Sequence, residues 1–591
     1  MALNSKSKRK LGQTGQSEDT EEPREDEVAT LPLTEVDPRS TVGPISTKAG
    51  PSSTKVHPIS TEAGPSSTKV HPSLTEPTQT FSPPYLETSR NQSMDLDFSM
   101  LRLDSITSNE PTARIILYPR VTELDISPYK GAGHYDNWVE VQLGDCPEKS
   151  ESARVLVVAP NAEQVGCTVT HHDMRFHLYL DPGEDRLILR NACSFETLDV
   201  RLNKESMKVL PTDPAFLYKG SCAIEINGIT LVEFEILPRT SWEIAAKTAT
   251  KRSAPGSDFP PSKRVKSRES TYRAIEPSRG MQAVSAGNAL VKLAKGDTMF
   301  VGAGDEGYRL TRCRTIVEQA NSSVWQAEHS GMPGKLMVVK VIKTTGRSER
   351  DAIRAAESWI HESAIHSSLK SHSAILRMLG SDARFHSIYT EHVEAESLWC
   401  QRHQASGIFI GDSSDAQKIL ADMASALTFI HGNKIVHNDV KPGNILYSPD
   451  RGAILIDFGL SFWDGNPSPG GGSPWYLPPE FLLDWKLRGP PSDMWALGIV
   501  ILWLLGHIPL PEKTPHWLIT NIHQSPYMKA VDTMLQWIDL VKAARLKLDQ
   551  QDESLSYIIR DLLDPDMDER IDAATLNKLM TEKGLPQDGN V

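Results

Sequence analysis

Between residues 112 and 238, short apolar runs alternate with turn residues: ARIILYP, WVEVQLG, ARVLVVAP, FHLYLDP, RLILRN, LDVRL, CAIEING and LVEFEILP. Their length and period-2 character predict strands, and their number predicts a β-sandwich. DPGED at 181–185 and ING at 226–228 have turn composition. From 306 to 585 the pattern is mixed. MVVKVIK predicts a strand, WIHESAIHSSL an amphipathic helix, and the apolar run Ala496–Leu505 a buried helix. That run is half the roughly 20 residues a bilayer span needs. Residues 1–111 carry no such pattern and are rich in Ser, Thr, Pro, Lys and Glu. They include two tandem copies, PISTKAGPSSTKVH and PISTEAGPSSTKVH, which differ only at Lys48 and Glu62. Stacking such copies would bury little apolar surface, so a disordered tail is expected, with a docking or phosphorylation tract as its functional alternative. Residues 239–305 are polar and basic, with Pro255, Pro260 and Pro261, and read as a linker.

Composition narrows the classes. The chain has 591 residues, enough for about three units. A hydrophobic content of 39 % fits folded domains diluted by polar segments. The net charge of −13 argues against direct nucleic-acid binding by the molecule as a whole. Six cysteines without a CxxC pair fit neither a zinc site nor a disulfide framework, and favour a reducing, intracellular compartment. The N-terminal MALNSKSKRKLGQ has no apolar core of a secretory signal, so neither export nor a membrane partner is expected.

The chemistry concentrates in IVHNDVKPGNILYSPDRGAILIDFGLSFW, residues 435–463. Two strand-like runs flank a polar loop, and two aspartates, a lysine and an asparagine face a shared gap. Phosphoryl transfer needs such a set. One carboxylate orients the attacking hydroxyl and accepts its proton, another with an amide oxygen holds Mg²⁺, and a cation offsets developing charge.

This segment resembles the catalytic and metal loops of the eukaryotic protein kinase family, serine/threonine type. The resemblance implies an α+β bilobal kinase fold over 306–585 that uses ATP and Mg²⁺ on a protein substrate. It assigns Asp439 as the base, Lys441 as the γ-phosphate contact, and Asn444 and Asp457 as metal ligands. Lys340, ending a β-branched run, matches the ATP-binding lysine. Glu362 suits its ion-pair partner, with Glu357 as the competing choice. YTEHVEAESL resembles the hinge, with Thr390 as gatekeeper and backbone groups of Glu391 and Val393 for adenine. GGSPWYLPPE resembles the peptide-receiving segment. Asp493 would accept N–H bonds from the catalytic loop, and Glu480 would pair with Arg570. Lys441 and Ser473 match the serine/threonine class.

Two departures stand out. Val317, Gln319 and Ser322 occupy positions where the family has glycines, although Val324 matches the family valine; ATP binding should be weaker or reshaped. The literal GxGxxG at Gly302, Gly304 and Gly307 lies too far before Lys340 and reads as a turn. Asn438 replaces the arginine that grips a phosphate on the activation segment in many kinases, and Pro469 sits near the usual phosphosite. A segment held by its own packing around Trp475 and Tyr476 is therefore expected. The rival reading is a pseudokinase scaffold that binds partners; the intact Lys340, Glu362, Asp439, Asn444 and Asp457 weigh against it.

The sandwich resembles a degenerate forkhead-associated domain in strand rhythm, which implies a phosphopeptide or protein partner. Its ligand-reading residues are not evident, with His172 and Arg175 at the serine and histidine places. The linker carries Lys251 and Arg252, then Lys263, Arg264 and Lys266, a pattern similar to a bipartite nuclear import signal, so nucleus or cytoplasm is the expected location. A fluorescent reporter fused to residues 245–270 should concentrate in nuclei and lose this when Lys263, Arg264 and Lys266 become Ala. An even distribution of the unmutated fusion would remove the import signal.

Overall fold

The computed structural model describes residues 103–130, 135–142, 152–239, 241–245, 281–284, 286–302, 307–524, 528–548 and 555–582. The tandem repeat and the Lys251–Lys266 basic clusters lie outside them. Two boundaries read from sequence differ. The tail was expected to run to 111, yet Leu103–Asn109 is a helix. Ile106 tucks it against Ile116, Val141, Val155 and Val157. Leu103 and Ile106 alone, in a polar stretch of seven residues, make too short a periodicity to mark a helix.

The sandwich has a seven-stranded and a five-stranded sheet. In the larger, the first strand, Ile115–Pro119, lies between Ser152–Val158 and the last long strand, Ile229–Ile236. Ile115 pairs with Ile236 across the full length of the sandwich sequence, which closes the fold. Alternate residues such as Ile115, Leu117, Phe176, Leu178, Leu187 and Leu189 fill the core between the sheets, as period-2 patterning requires.

The next sheet has eight strands, and three of them come from the stretch read as linker. Met281–Val284, Trp242–Ala245 and Thr298–Val301 precede Tyr308–Glu318, Ser322–His329, Leu336–Ile342, Ser387–Glu391 and Met378–Asp382 in spatial order. Each added strand has four residues, and those described as buried are Ile244, Val284, Met299 and Val301. Such strands fall below the signal of a hydrophobic run. Val301 pairs with Tyr308, so Gly302 and Gly307 sit in a hairpin connection, as expected of a turn.

The large lobe packs Ser413–Gly432, Pro490–Leu504, Met528–Leu548 and two shorter helices around one apolar core. Pro490–Leu504 is buried from Ser492 through Leu504. No helix among the described residues is long and apolar enough to cross a membrane. Arg570 Nη1 and Nη2 grip Glu480 Oε1 and Oε2 at 2.8 and 2.9 Å. Both are buried, and this fork ties the segment before Glu480 to the C-terminal helices.

The helix Glu349–Ser368 begins with a capping box, Ser348 and Asp351. Its Ala352, Ile353, Ala356 and Trp359 share one cluster with Ile342 and Ile388 of the small-lobe sheet and with Tyr129, Val165, Tyr179 and Ile188 of the sandwich. His386 also lies at this seam, its ring stacked 6.1 Å from Trp359. Burial pushes the imidazole down from its ordinary 6.5 to about 4. The folded chain thus holds His386 neutral while the unfolded chain takes up the proton first. Its contribution is whole above pH of about 6.5 and is lost as pH falls toward 4. His386→Asn, which tolerates the local φ of 49° and does not titrate, should flatten the loss of urea stability between pH 7.5 and 5. An unchanged slope would assign that loss to other groups.

Candidate active site

The short strand Ile435–Val436 pairs with Phe462–Trp463 and brackets the polar loop. The loop is anchored from below. Asp493, near the N-terminus of the buried helix Pro490–Leu504, accepts the backbone N–H groups of His437 and Asn438, each at 2.8 Å. His431 Nε2 lies 2.9 Å from the same carboxylate. Asp439 then stands among donors. Lys441 Nζ is 2.8 Å from its Oδ2. Ser473 Oγ donates to Oδ1 at 3.1 Å, and Asn444 Nδ2 donates to Oδ2 at 2.9 Å and to the Asp439 carbonyl at 2.9 Å. Lys441 Nζ also donates to Ser473 Oγ at 3.1 Å. Burial lowers the Lys441 pKa, but the Asp439 charge and hydrogen bond outweigh it and hold the ammonium above its ordinary value.

Across the cleft, Lys340 Nζ donates to Glu362 Oε1 at 2.8 Å and to Asp457 Oδ1 at 2.7 Å. Glu357, the competing partner, faces elsewhere. Burial opposes the Lys340 charge, yet Asp457 and Glu362 hold its pKa above the ordinary value. Asp457 moves the other way: burial raises it, but Lys340 overrides this and keeps it ionised. For Glu362 burial dominates and raises the pKa despite Lys340. Space is tight at Gly459. A Cβ on it would sit 3.2 Å from both Asp457 Oδ1 and Glu362 Oε2. Phe458 is fully buried between His366 and His437, with ring centroids 4.9 and 5.3 Å away. One aromatic column thus joins the small-lobe helix, the Asp457 turn and the polar loop.

The roof of the cleft is the hairpin of Tyr308–Glu318 and Ser322–His329. Val324 pairs with Lys340 on the neighbouring strand and with Val317 on its own hairpin. Side chains clasp the tip where the family has glycines. Glu318 lies 2.7 Å from Lys343 Nζ and 3.7 Å from Arg312, and accepts from Ser323 Oγ at 2.6 Å. Burial raises the Glu318 pKa, but Lys343 and Ser323 outweigh it and keep the group ionised. Asn321 carbonyl accepts from Lys343 N at 2.8 Å. At the back, Thr390 is buried. Glu391 ends the strand Ser387–Glu391, and Val393 follows, half-buried, where the chain crosses to the large lobe.

A model of the protein kinase domain matches residues 314–580. Residues 314–580 are a protein kinase domain. The chain is 30 % identical over 215 residues to a probable serine/threonine-protein kinase KIN1 homolog of Enterocytozoon bieneusi, covering 35 % of this chain and 34 % of that one. It is 40 % identical over 102 residues to the probable serine/threonine-protein kinase MARK-C of Dictyostelium discoideum, covering 16 % and 13 %. It is 26 % identical over 244 residues to the serine/threonine-protein kinase chk-1 of Caenorhabditis briggsae, covering 39 % and 48 %. The chain therefore spans less than half the length of each of these curated relatives. The three added strands of the small-lobe sheet precede the matched residues.

The activation segment of the kinase domain is held by its own side chains. Trp537 Nε1 donates to the Trp475 carbonyl at 2.7 Å, and Tyr476 OH donates to Glu512 at 2.9 Å. Ser461 is fully buried and donates to the His437 carbonyl at 3.1 Å. Asn438, at φ 67°, donates through Nδ2 to the Leu460 carbonyl at 2.9 Å. Its Oδ1 accepts from Arg488 Nη1 at 2.9 Å. Arg488 was not singled out from sequence. It lies 50 residues from Asn438, and only the missing charge at 438 pointed to a substitute nearby. The guanidinium also rests on the Phe481 ring, 4.9 Å from its centroid. Burial pulls its pKa down to about 10, partly countered by Asp439. This clasp, a neutral amide on a guanidinium, links catalytic loop, segment and the residues after Glu480. Phosphatase treatment, or Ser468→Ala, should leave initial transfer rates within about threefold of the parent. A fall beyond about tenfold in both would make the segment phosphorylation-dependent.

Proposed function

We propose that the chain is an ATP-dependent protein serine/threonine kinase that transfers the γ-phosphoryl group of ATP to a protein hydroxyl. The observation that carries this reading is the pairing of two charged clusters across one cleft. Asp439 with Lys441 and Ser473 lies below, and Lys340 with Glu362 and Asp457 lies above. The serine/threonine-protein kinase names of the relatives support it, and an intact set of five charged and amide groups favours catalysis over a pseudokinase scaffold.

In this reading, Asp439 accepts a hydrogen bond from the attacking hydroxyl and takes its proton as the new O–P bond forms. The bond from the γ-phosphorus to the β–γ bridging oxygen breaks, and ADP leaves. Lys441 stands beside the transferring group, and Lys340, fixed by Glu362, steadies the phosphates. Asn444 and Asp457 fit Mg²⁺. Both supply hard oxygen donors, and Asn444 commits its Nδ2 hydrogens to Asp439, which turns its oxygen away from that residue. Two protein ligands completed by substrate phosphates are the usual arrangement for this ion. When bound, Mg²⁺ would neutralise charge on the β- and γ-phosphates. The backbone of Glu391 and Val393 would hold adenine, with Val324 above it. The clasped hairpin tip favours a raised KM for MgATP, since side chains replace the glycines that admit phosphates closely.

The sandwich serves, in this reading, as a packing and partner domain of forkhead-associated-like form. His172 lies at a hairpin tip 3.5 Å from the Glu123 carboxylate, a poor surrounding for a phosphate. The substrate is a protein, and a nuclear location would follow from the Lys251–Lys266 clusters. A thermal-shift titration tests the site. Asp457→Ala should abolish stabilisation by MgATP, whereas Asp439→Asn should keep it and lose turnover by about a thousandfold or more. Unchanged MgATP binding in Asp457→Ala would remove the metal assignment, and turnover by Asp439→Asn near the parent rate would remove the base.

A further inference from the structure

The seam between sandwich and kinase domain falls on one helix. Glu349–Ser368 carries Glu362 on the face toward Lys340. Glu357, five residues earlier and about 7.5 Å up the axis, points to the sandwich. There its Oε1 accepts from Tyr129 OH at 3.0 Å and from Arg190 Nη1 at 2.9 Å, with Lys130 Nζ at 4.0 Å. Tyr129 is itself buried, with His177 and Tyr179 rings each 4.7 Å away. A second ion pair, Arg350 Nη2 to Asp213 Oδ1 at 3.0 Å, holds the start of the helix. Near the strand turn beyond it, Ala383 N donates to the Ala162 carbonyl of the sandwich at 2.9 Å.

We propose that the sandwich is a built-in positioning element of the active site, acting through Tyr129, Arg190 and Glu357 on the helix that presents Glu362. This deepens the kinase reading above and rests on it. A helix is stiff over five residues, so a grip at Glu357 sets where Glu362 meets Lys340. The apolar side of the grip is shared. Trp359, Ile353 and Ala356 belong to the same cluster as Tyr129, Tyr179 and Ile188, so the helix cannot move out without opening both contacts. Glu357 and Arg190 are part-exposed, so deleting the ion pair alone would change little. Reversing one charge instead sets like charges together and should pry the seam apart.

The test uses the full chain with Arg190→Glu, Glu357→Arg and the double reversal. Initial rates are measured over MgATP concentration, and amide hydrogen exchange over residues 349–368. Each single reversal should lower kcat by about tenfold and speed exchange across the helix. The double should recover most of both losses, which a merely destabilising change would not do. Tyr129→Phe, which removes one hydrogen bond and keeps the packing, should move both readouts the same way by less. Singles within about twofold of the parent in kcat and exchange, or a double no better than the singles, would overturn the proposal. A parent chain that transfers no phosphate would defeat the kinase reading instead. The positioning claim then stands on exchange alone, supported if the singles lose protection and the double regains it, and overturned if they do not.

Discussion

The ammonium of Lys340 is the point on which the molecule converges. It sits between a carboxylate from the small-lobe helix and one from the turn after the large-lobe strands, at 2.8 and 2.7 Å. Of the three groups, buried Glu362 could not stand alone, because an unpaired charge away from water is costly, while Asp457 keeps part of its surface exposed. Together they satisfy one another, and they do so only when the sheet, the helix and the Asp457 turn are all in place. Lys340 holds Asp457 below the ordinary carboxylate range, so that carboxylate stays ionised. The Phe458 column reinforces the same geometry through packing.

That dependence explains where the strongest restraints lie. Asp493 fixes the catalytic loop through two backbone N–H groups, the Glu480–Arg570 fork fixes the end of the activation segment, and Arg488 fixes Asn438. Each restraint joins segments far apart in sequence. The loop is therefore held by the large-lobe core. Asn is well suited to position 438 for a local reason too, since it tolerates the left-handed backbone found there.

Much of this was legible in the chain because it is encoded locally. The 435–463 segment carries its chemistry within one hairpin-like unit, and period-2 runs marked most strands of the sandwich. Lys340 and Glu362 were readable from a β-branched run followed by an amphipathic helix. What escaped has little local signal. The strands Trp242–Ala245, Met281–Val284 and Thr298–Val301 are short, and their partners lie across a long insertion. Arg488 has meaning only against Asn438. Glu357 was weighed for the right helix and the wrong face; its partners, Tyr129 and Arg190, belong to another domain and no spacing rule reaches them.

The hairpin over the cleft shows what replaces glycine when restraint moves to side chains. In a glycine-rich tip, bare N–H groups approach a phosphate and the loop pays for that freedom in entropy. Here Glu318, held by Lys343 and Ser323, pins the tip to the strand that carries Lys340. The roof is thereby fastened to the sheet, the sheet to the helix through Lys340 and Glu362, and the helix to the sandwich through Glu357. These contacts run in series from the roof of the cleft to the sandwich. If the sandwich positions the helix as proposed, the seam is where a partner would act on the catalytic geometry without entering the cleft.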